Sequence, residues 1–354
     1  MNPYLEIFNN KDHTFIIAEA GSNWKVGTDE EDLEIATKMI QSASEAGADA
    51  IKFQTFRSET VYAYNAGEIE YEHEDKKTIT INELFERLSM KYEMIEKLAK
   101  ISKENNIMFM STPFSVEDAK QLDPFVEIHK VASFEINHVS LLEFLASTKK
   151  PILISTGASS YDEIDFVVDF MNKNSSGPIS LLQCTSKYPC PIDALNLSTI
   201  STMRERYNLP IGFSDHSVDP IIGPLTAIGL GAIAIEKHFT LNKSMSGPDH
   251  FFAVDPPELN SMVKIIREAD KSKGIGIKEI LDEEKELRRF ATRSIQAIQD
   301  IQKDEILKMG INFEILRPGN QKRGEEARFV GQIEGKIANT EISKGEGILR
   351  SDCT

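Results

Sequence analysis

The 354-residue chain is 40% hydrophobic and 27% charged, an ordinary globular balance with room for one large domain and one small one. Its 40 basic and 56 acidic side chains leave a net charge of −16, which repels nucleic acid at long range and means that any anionic substrate needs a local basic pocket. No apolar run approaches the ~18 residues that span a bilayer. The first twelve residues lack the charged and apolar regions of a secretory signal, and Cys184, Cys190 and Cys353 show neither zinc spacing nor a disulfide framework, so a cytoplasmic protein is expected.

Along the chain, short apolar runs alternate with longer amphipathic stretches eight times in the same order. The expected strands are Phe15 to Ala20, Ala48 to Gln54, Ile107 to Pro113, Ile128 to Ser133, Pro151 to Thr156, Ile179 to Thr185, Ile211 to His216 and Ala232 to Phe239. Helical patterns lie between them, among them Glu30 to Ala46, Asn82 to Glu104 and Ser160 to Met171, the last with Ser160 as its expected cap. Eight βα units predict an α/β fold, a closed (β/α)₈ TIM barrel, and neither a G-x-G-x-x-G turn nor a P-loop argues for an open doubly wound sheet. Two further helical stretches follow, Pro257 to Lys271 and Glu279 to Phe290, and from Ser294 the texture changes to short strands and turns. A domain boundary is therefore expected near Thr292, with a barrel over 1–291 and a small β-rich domain over 292–354.

In this fold the βα loops converge at the C-terminal ends of the strands, so chemistry is sought there. Side chains two apart share a face, which pairs Lys52 with Gln54, Ser214 with His216, and Glu236 with His238. Strand one adds Glu19, strand three Ser111 and Thr112, strand four Lys130 and Ser133, strand five Ser155 and Thr156, and strand six Thr185, Ser186 and Tyr188. Polar residues also mark where any strand meets solvent. Lysines within otherwise apolar strands are different, because each loses hydration unless an anion compensates it, and two lysines among several hydroxyls read as a phosphate site. His216 and His238 end adjacent strands, where two imidazoles can bind one divalent ion with open positions left for water and substrate. His13, His73 and His129 read as structural, His138 follows a strand-end loop, and His250 sits on the loop leaving strand eight, from which it could close on the site.

These strand ends resemble the sialic acid synthase family, which includes N-acetylneuraminate, legionaminate and pseudaminate synthases. The resemblance runs over nearly the whole chain, through FIIAEAG from Phe15, IKFQT from Ile51, STPFS from Ser111, KVAS from Lys130, STG from Ser155, CTSKYP from Cys184, SDH from Ser214, EKHF from Glu236 and GPD from Gly247. It implies that Lys52, Thr112, Lys130, Ser133, Ser155 and Ser214 hold phosphoenolpyruvate. It also implies that His216 and His238 hold a divalent metal, Mn²⁺ foremost with Mg²⁺ or Co²⁺ as alternatives. Glu19, Gln54, Glu135, Tyr188, Glu236 and Asp249 are implied around the sugar, the water or the metal. The tail resembles an antifreeze-like (SAF) domain whose turn, Leu316 to Asn320, brings Arg317 into the partner's barrel in a domain-swapped homodimer.

The implied reaction joins phosphoenolpyruvate to an acetamido sugar aldehyde with release of phosphate, and Glu19 or Glu236 stabilises the charge at C2 or activates water. The candidate sugars are N-acetylmannosamine, its 6-phosphate and 6-deoxy diacetamido hexoses. Two departures matter: Asn23-Trp24 stands where many members have Asn-His, and Ser186 follows Cys184-Thr185 where neuraminate synthases often have Asn, the second of them near the sugar position. A metal-dependent aldolase or isomerase on the same barrel would also use two rim histidines but would not need two anion-binding lysines. A non-catalytic carbohydrate-binding protein would give no reason for lysine, histidine and carboxylate to gather at one rim.

Overall fold

The computed structural model describes residues 12–71, 77–174 and 176–354. The chain divides into two compact units, Met1–Gly274 and Ile275–Thr354. In the first, eight parallel strands alternate with helices: β1 (Phe15–Gly21), β2 (Ala50–Thr55), β3 (Met108–Pro113), β4 (His129–Val131), β5 (Ile152–Ser155), β6 (Ile179–Cys184), β7 (Ile211–Asp215) and β8 (Ala234–His238). Each is followed by its helix: α1 (Asp29–Ala46), α2 (Tyr92–Glu104), α3 (Val116–Leu122), α4 (Val139–Thr148), α5 (Tyr161–Lys173), α6 (Thr199–Tyr207), α7 (Ile222–Gly229) and α8 (Pro256–Ser272). The ladder runs β3-β2-β1-β8-β7-β6-β5-β4, and β3 and β4 lie side by side without ladder pairing, so the barrel is nearly closed. No helix among the described residues is long and apolar enough to cross a membrane.

Strand alternation sorts the side chains into two cores. Phe15, Ile17, Ala50, Met110, Ile128, Leu153, Leu182 and Ala234 form a cluster inside the barrel, whereas their neighbours Ile16, Ala18, Ile51, Phe109, Val131, Ile154, Leu181 and Ile235 join the larger layer beneath the helices. A side chain of this size contributes roughly 1.5–3 kcal/mol when fully buried, so a one-residue slip in register is strongly disfavoured. That register carries the polar residues one step further along each strand into the mouth.

Local signals set the helix starts. Ser160 Oγ accepts the Glu163 amide, and the Glu163 carboxylate accepts the Ser160 amide in return. The same reciprocal box starts α1 at Thr28 and Glu31 and α8 at Asp255 and Glu258, the latter with Pro256 in the first turn. His138 caps α4, its Nδ1 accepting the Leu141 amide at 3.3 Å, so its role is structural.

Two expectations shift, and one further segment gains structure. The helix expected over Asn82 to Glu104 is two helices, Ile81–Leu88 and α2, because Ser89 takes extended backbone angles. The segment between β2 and that first helix holds a short helix, Ser58–Val61, and an antiparallel hairpin, Glu68–Tyr71 with Lys77–Thr80; His73 lies outside the described residues. The boundary falls before Ile275 and not near Thr292: α9 (Asp282–Ala291) belongs with the second unit, where the Gly319 amide donates to the Phe290 carbonyl at 3.1 Å. That unit pairs β9 (Ser294–Ala297) with β10 (Phe313–Leu316) over its own core of Ile295, Ile301, Leu307, Phe313, Ile333, Ala338, Ile342 and Ile348.

At the N-terminal end of the barrel, His129 is fully buried, with Nε2 3.0 Å from Asp123 Oδ1. Burial pushes its imidazole down from the ordinary 6.5 to about 4, against the pull of Asp123. As pH falls below 6.5 the unfolded chain takes up a proton that the folded chain refuses, so stability present above that pH is lost progressively towards pH 4. The loss is on the order of 3 kcal/mol. Urea unfolding from pH 7 to 4 should show the His129→Gln protein losing less stability than wild type; equal losses would refute this assignment.

Candidate active site

Above the apolar interior, the next inward position of each strand is polar or ionisable: Glu19, Lys52, Thr112, Lys130, Ser155, Cys184, Ser214 and Glu236, all buried. One step higher stand Gln54, His216 and His238. The register that pairs Glu19 with Lys52 and with His238, and Glu236 with Ser214, brings these side chains to one level.

Charge organises this layer. Lys52 Nζ lies 2.6 Å from Glu19 Oε2 and 3.6 Å from Glu236 Oε1, and donates to Thr112 Oγ1 at 3.0 Å. Gln54 Nε2 donates to Glu19 Oε1 at 3.2 Å, and Ser214 Oγ to Glu236 Oε1 at 3.1 Å. Burial pushes Glu19 up to about 7, Lys52 opposes the rise, and Glu236 adds to it. Burial acts in the same sense on Glu236, but Lys130, Lys52 and His216 outweigh it and hold that carboxyl below its usual range. Burial would depress Lys52, but the two carboxylates reverse the effect and raise it. The two glutamates are thereby separated: Glu236 stays ionised, while Glu19 exchanges its proton near neutrality.

Lys130 is the exception in charge balance. Its ammonium donates to Ser155 Oγ at 2.6 Å and to the Val131 carbonyl at 3.0 Å, and among the described residues no carboxylate lies within ion-pair distance. Burial lowers its pKa. A buried ammonium with only neutral acceptors is costly unless an anion completes it. Beside it, the Gly157 amide donates to Ser133 Oγ at 3.0 Å. A Cβ on Gly157 would stand 2.3 Å from Ser186 Oγ and 2.9 Å from both Ser133 Oγ and Cys184 Sγ, so only glycine lets these three groups converge. Glu135, at the end of the 3₁₀ turn Ser133–Glu135, is pushed up to about 7 by burial, with Lys130 opposing.

The two histidines have ring centroids 5.5 Å apart. His216 Nδ1 lies 2.9 Å from the Thr185 carbonyl, which can only accept, so that nitrogen carries the hydrogen and Nε2 keeps its lone pair. Burial lowers both imidazoles, His238 furthest, with His216, Lys52 and Lys237 adding to the depression there. Tyr188 lies against His216 with centroids 4.1 Å apart, and Phe252 lies 5.0 Å from His238, which limits how the rings turn. Burial raises the Tyr188 phenol, so it stays protonated. His238 Nδ1 has no hydrogen-bond partner and sits 3.7 Å from Asp249 Oδ2; burial pushes the Asp249 carboxyl up to about 6. Gly21, at φ +52°, gathers Glu19, Gln54 and Asp249 around its Cα.

Two neutral imidazoles with a free ring nitrogen are the donors that suit a divalent ion here. Among the described residues no group of three or more His, Cys, Asp or Glu is placed to hold one.

The expected residues Glu19, Lys52, Gln54, Thr112, Glu236, Ser214, His216, His238, Tyr188 and Asp249 thus form one connected site, with Lys130, Ser133, Glu135, Ser155 and Ser186 on its other side. Arg317 is exposed on the second unit, in the turn after β10. His250 does not close on the site: it is buried with Nδ1 2.7 Å from Thr240 Oγ1, beneath Gly247. Trp24, one of the two departures, fills core space edge-on to Phe53 and donates Nε1–H to the Gly21 carbonyl at 3.2 Å. Cys184 was not among the expected site residues, although its inward parity two positions after Leu182 marks it. The Gly157 amide carries no such signal, since its role depends on three side chains from two other βα units.

A model of the NeuB family matches residues 39–278. An N,N'-diacetyllegionaminic acid synthase of Legionella pneumophila is 34% identical over 95% of this chain and 93% of its own length. A pseudaminic acid synthase of Campylobacter jejuni is 35% identical over 98% of each. The crystal structure of an N-acetylneuraminic acid synthetase from Leptospira borgpetersenii in complex with citrate superimposes with a TM-score of 0.68 at 35% identity, covering 78% of this chain and 90% of that one. The chain belongs to the NeuB family, the sialic acid synthase family that its strand-end motifs resemble.

Proposed function

We propose that this protein is a transferase that condenses phosphoenolpyruvate with an open-chain acetamido sugar aldehyde to give a nonulosonic acid and phosphate. The observation that carries this reading is Lys130, a buried ammonium with neutral acceptors and no carboxylate, beside Ser133, Ser155 and the Gly157 amide. This is a cradle for a phosphate or carboxylate. Lys52, Thr112 and Ser214 complete the donor set for the second anionic group.

C3 of the enolpyruvyl group attacks the aldehyde carbon, and the aldehyde oxygen takes a proton and becomes a hydroxyl. Positive charge then develops at C2. Glu236, held ionised by its cationic neighbours, stabilises that charge, and its Oε2 has no hydrogen-bond partner. Water adds at C2 and gives up a proton to Glu19, whose carboxyl titrates near neutrality. The bond from C2 to the bridging oxygen breaks, phosphate leaves with that oxygen and with the proton of the new C2 hydroxyl, and the keto acid remains, the proton received by Glu19 replacing the one taken by the aldehyde oxygen. A divalent ion held by His216 and His238, Mn²⁺ foremost with Mg²⁺ or Co²⁺ as alternatives, supplies Lewis-acid polarisation of the aldehyde oxygen when bound. Gln54, Tyr188, Glu135, Asp249 and Ser186 border the space left for the sugar.

The second unit is proposed as an antifreeze-like cap in a domain-swapped homodimer, with Arg317 serving the partner's site. Support comes from the sequence of the turn Leu316 to Asn320, which buries Pro318 and exposes Arg317. The three cysteines are buried free thiols, consistent with work in a reducing cytoplasm.

With phosphoenolpyruvate labelled with oxygen-18 at the bridging position, phosphate release should depend on both substrates and metal, and the label should leave in phosphate. Label retained in the keto acid would overturn the route. Lys130→Met should raise the phosphoenolpyruvate KM by about 10- to 100-fold while leaving the ligand-free protein as heat-stable as wild type or more so. A variant with unchanged KM would remove Lys130 from the anion site. Arg317→Ala should keep the wild-type melting temperature and lose most turnover, whereas full activity would refute the capping role.

A further inference from the structure

The strands that carry the two proposed metal ligands are also joined behind the site. Between Ser214 and His216 on β7, and between Glu236 and His238 on β8, parity sends Asp215 and Lys237 outward, beneath α7. They meet there as a fully buried ion pair, Lys237 Nζ to Asp215 Oδ2 at 2.7 Å, with side chains 1% and 0% exposed. The same ammonium donates to the Ser217 carbonyl at 2.5 Å, Ser217 Oγ at 3.2 Å and the Asp219 carbonyl at 3.0 Å. Asp215 Oδ1 accepts the Ser217 amide at 2.8 Å. Gly223, in the first turn of α7, allows the helix to close on the pair: a Cβ there would stand 3.1 Å from Asp215 Oδ2.

Stability alone gives little reason for charges here, since an apolar pair of similar volume would serve a buried strand-helix seam equally well. An apolar pair cannot, however, impose direction. The three N–H donors of one ammonium, shared among four acceptors on Asp215, Ser217 and Asp219, hold the chain on both sides of His216 to the residue preceding His238. We propose that Lys237 and Asp215 are positioning residues that preset the separation and orientation of the two imidazoles, so that the metal binds to a formed site and does not have to assemble one. The inference rests on the two-histidine metal reading. It concerns a pair that touches neither substrate nor ion.

The test is calorimetric titration of the full-length protein with Mn²⁺, together with the rise in melting temperature that Mn²⁺ produces. Lys237→Met should remain folded, bind Mn²⁺ about 10- to 100-fold more weakly, show a smaller Mn²⁺-induced rise, and recover kcat at saturating Mn²⁺. Asp215→Asn, which retains the acceptor for the Ser217 amide, should move the same way and serves if Lys237→Met does not fold. Arg267→Met removes ion pairs to Asp49 and Asp270 at the other end of the barrel; it should lower the melting temperature with no change in Mn²⁺ affinity. A folded Lys237→Met or Asp215→Asn with wild-type affinity overturns the proposal, as does an equal loss in Arg267→Met, which would mark a general structural effect. Wild-type protein that takes up no Mn²⁺, or His216→Ala that binds it as tightly as wild type, overturns the two-histidine site itself and this inference with it.

Discussion

Lys52 and Glu19 meet 2.6 Å apart at the mouth of the barrel, nearly excluded from water, with Glu236 3.6 Å from the same ammonium. Charges desolvated to this degree must be compensated by one another or by a ligand, and the rest of the site follows from how far compensation goes. Lys52 forms ion pairs with both carboxylates, whereas Lys130 has none within ion-pair distance and feels Glu236 at longer range. One side of the mouth therefore holds an ammonium bonded to neutral acceptors, while the other keeps two carboxyls of unequal acidity. Glu19 and Glu236 differ in the cations around them, Lys52 for the first and Lys130, Lys52 and His216 for the second, and that difference contributes to their unequal acidity.

The barrel makes this arrangement possible because parallel strands in register bring successive side chains to common levels. Apolar residues fill the interior below, and their burial holds the register that lifts Glu19, Lys52, Lys130 and Glu236 to one height. The same alternation gives each strand a second face. On β7 and β8 the inner face carries histidines and the outer face a buried ion pair, so that function and its proposed support alternate residue by residue.

The loops at the mouth are built differently. Tyr188, Ser186 and Asp249 come from loops, and among the described residues of the βα units only the segment after β2 carries a hairpin. Trp24 proves to be a packing residue, so it bears on the acceptor less directly than Ser186, which lies against Gly157 within the site. Relatives of nearly equal similarity make different sugar acids, legionaminic and pseudaminic among them. This is consistent with a common anion half on strands and a variable acceptor half on loops.

Periodicity and parity were sufficient to read the eight strands, the inward lysines and glutamates, and the paired histidines, because these depend on spacing along single strands. The Ser160 cap was legible for the same reason. What required tertiary structure was everything decided between elements. His138 and His250 both lie on loops in the sequence, yet one caps a helix and the other is bound to Thr240, since each answers to neighbours that spacing does not specify. The boundary before Ile275 was not legible either, because α9 belongs with residues that follow it, as the bond from the Gly319 amide to the Phe290 carbonyl illustrates. Lys130 and Lys52 are equivalent as lysines inside apolar strands; the positions of Glu19 and Glu236 pair one of them and leave the other bonded to neutral acceptors. Sequence determined which groups face the mouth, and the fold decided which of them are already paired, because compensation depends on distances between strands and not on order along them.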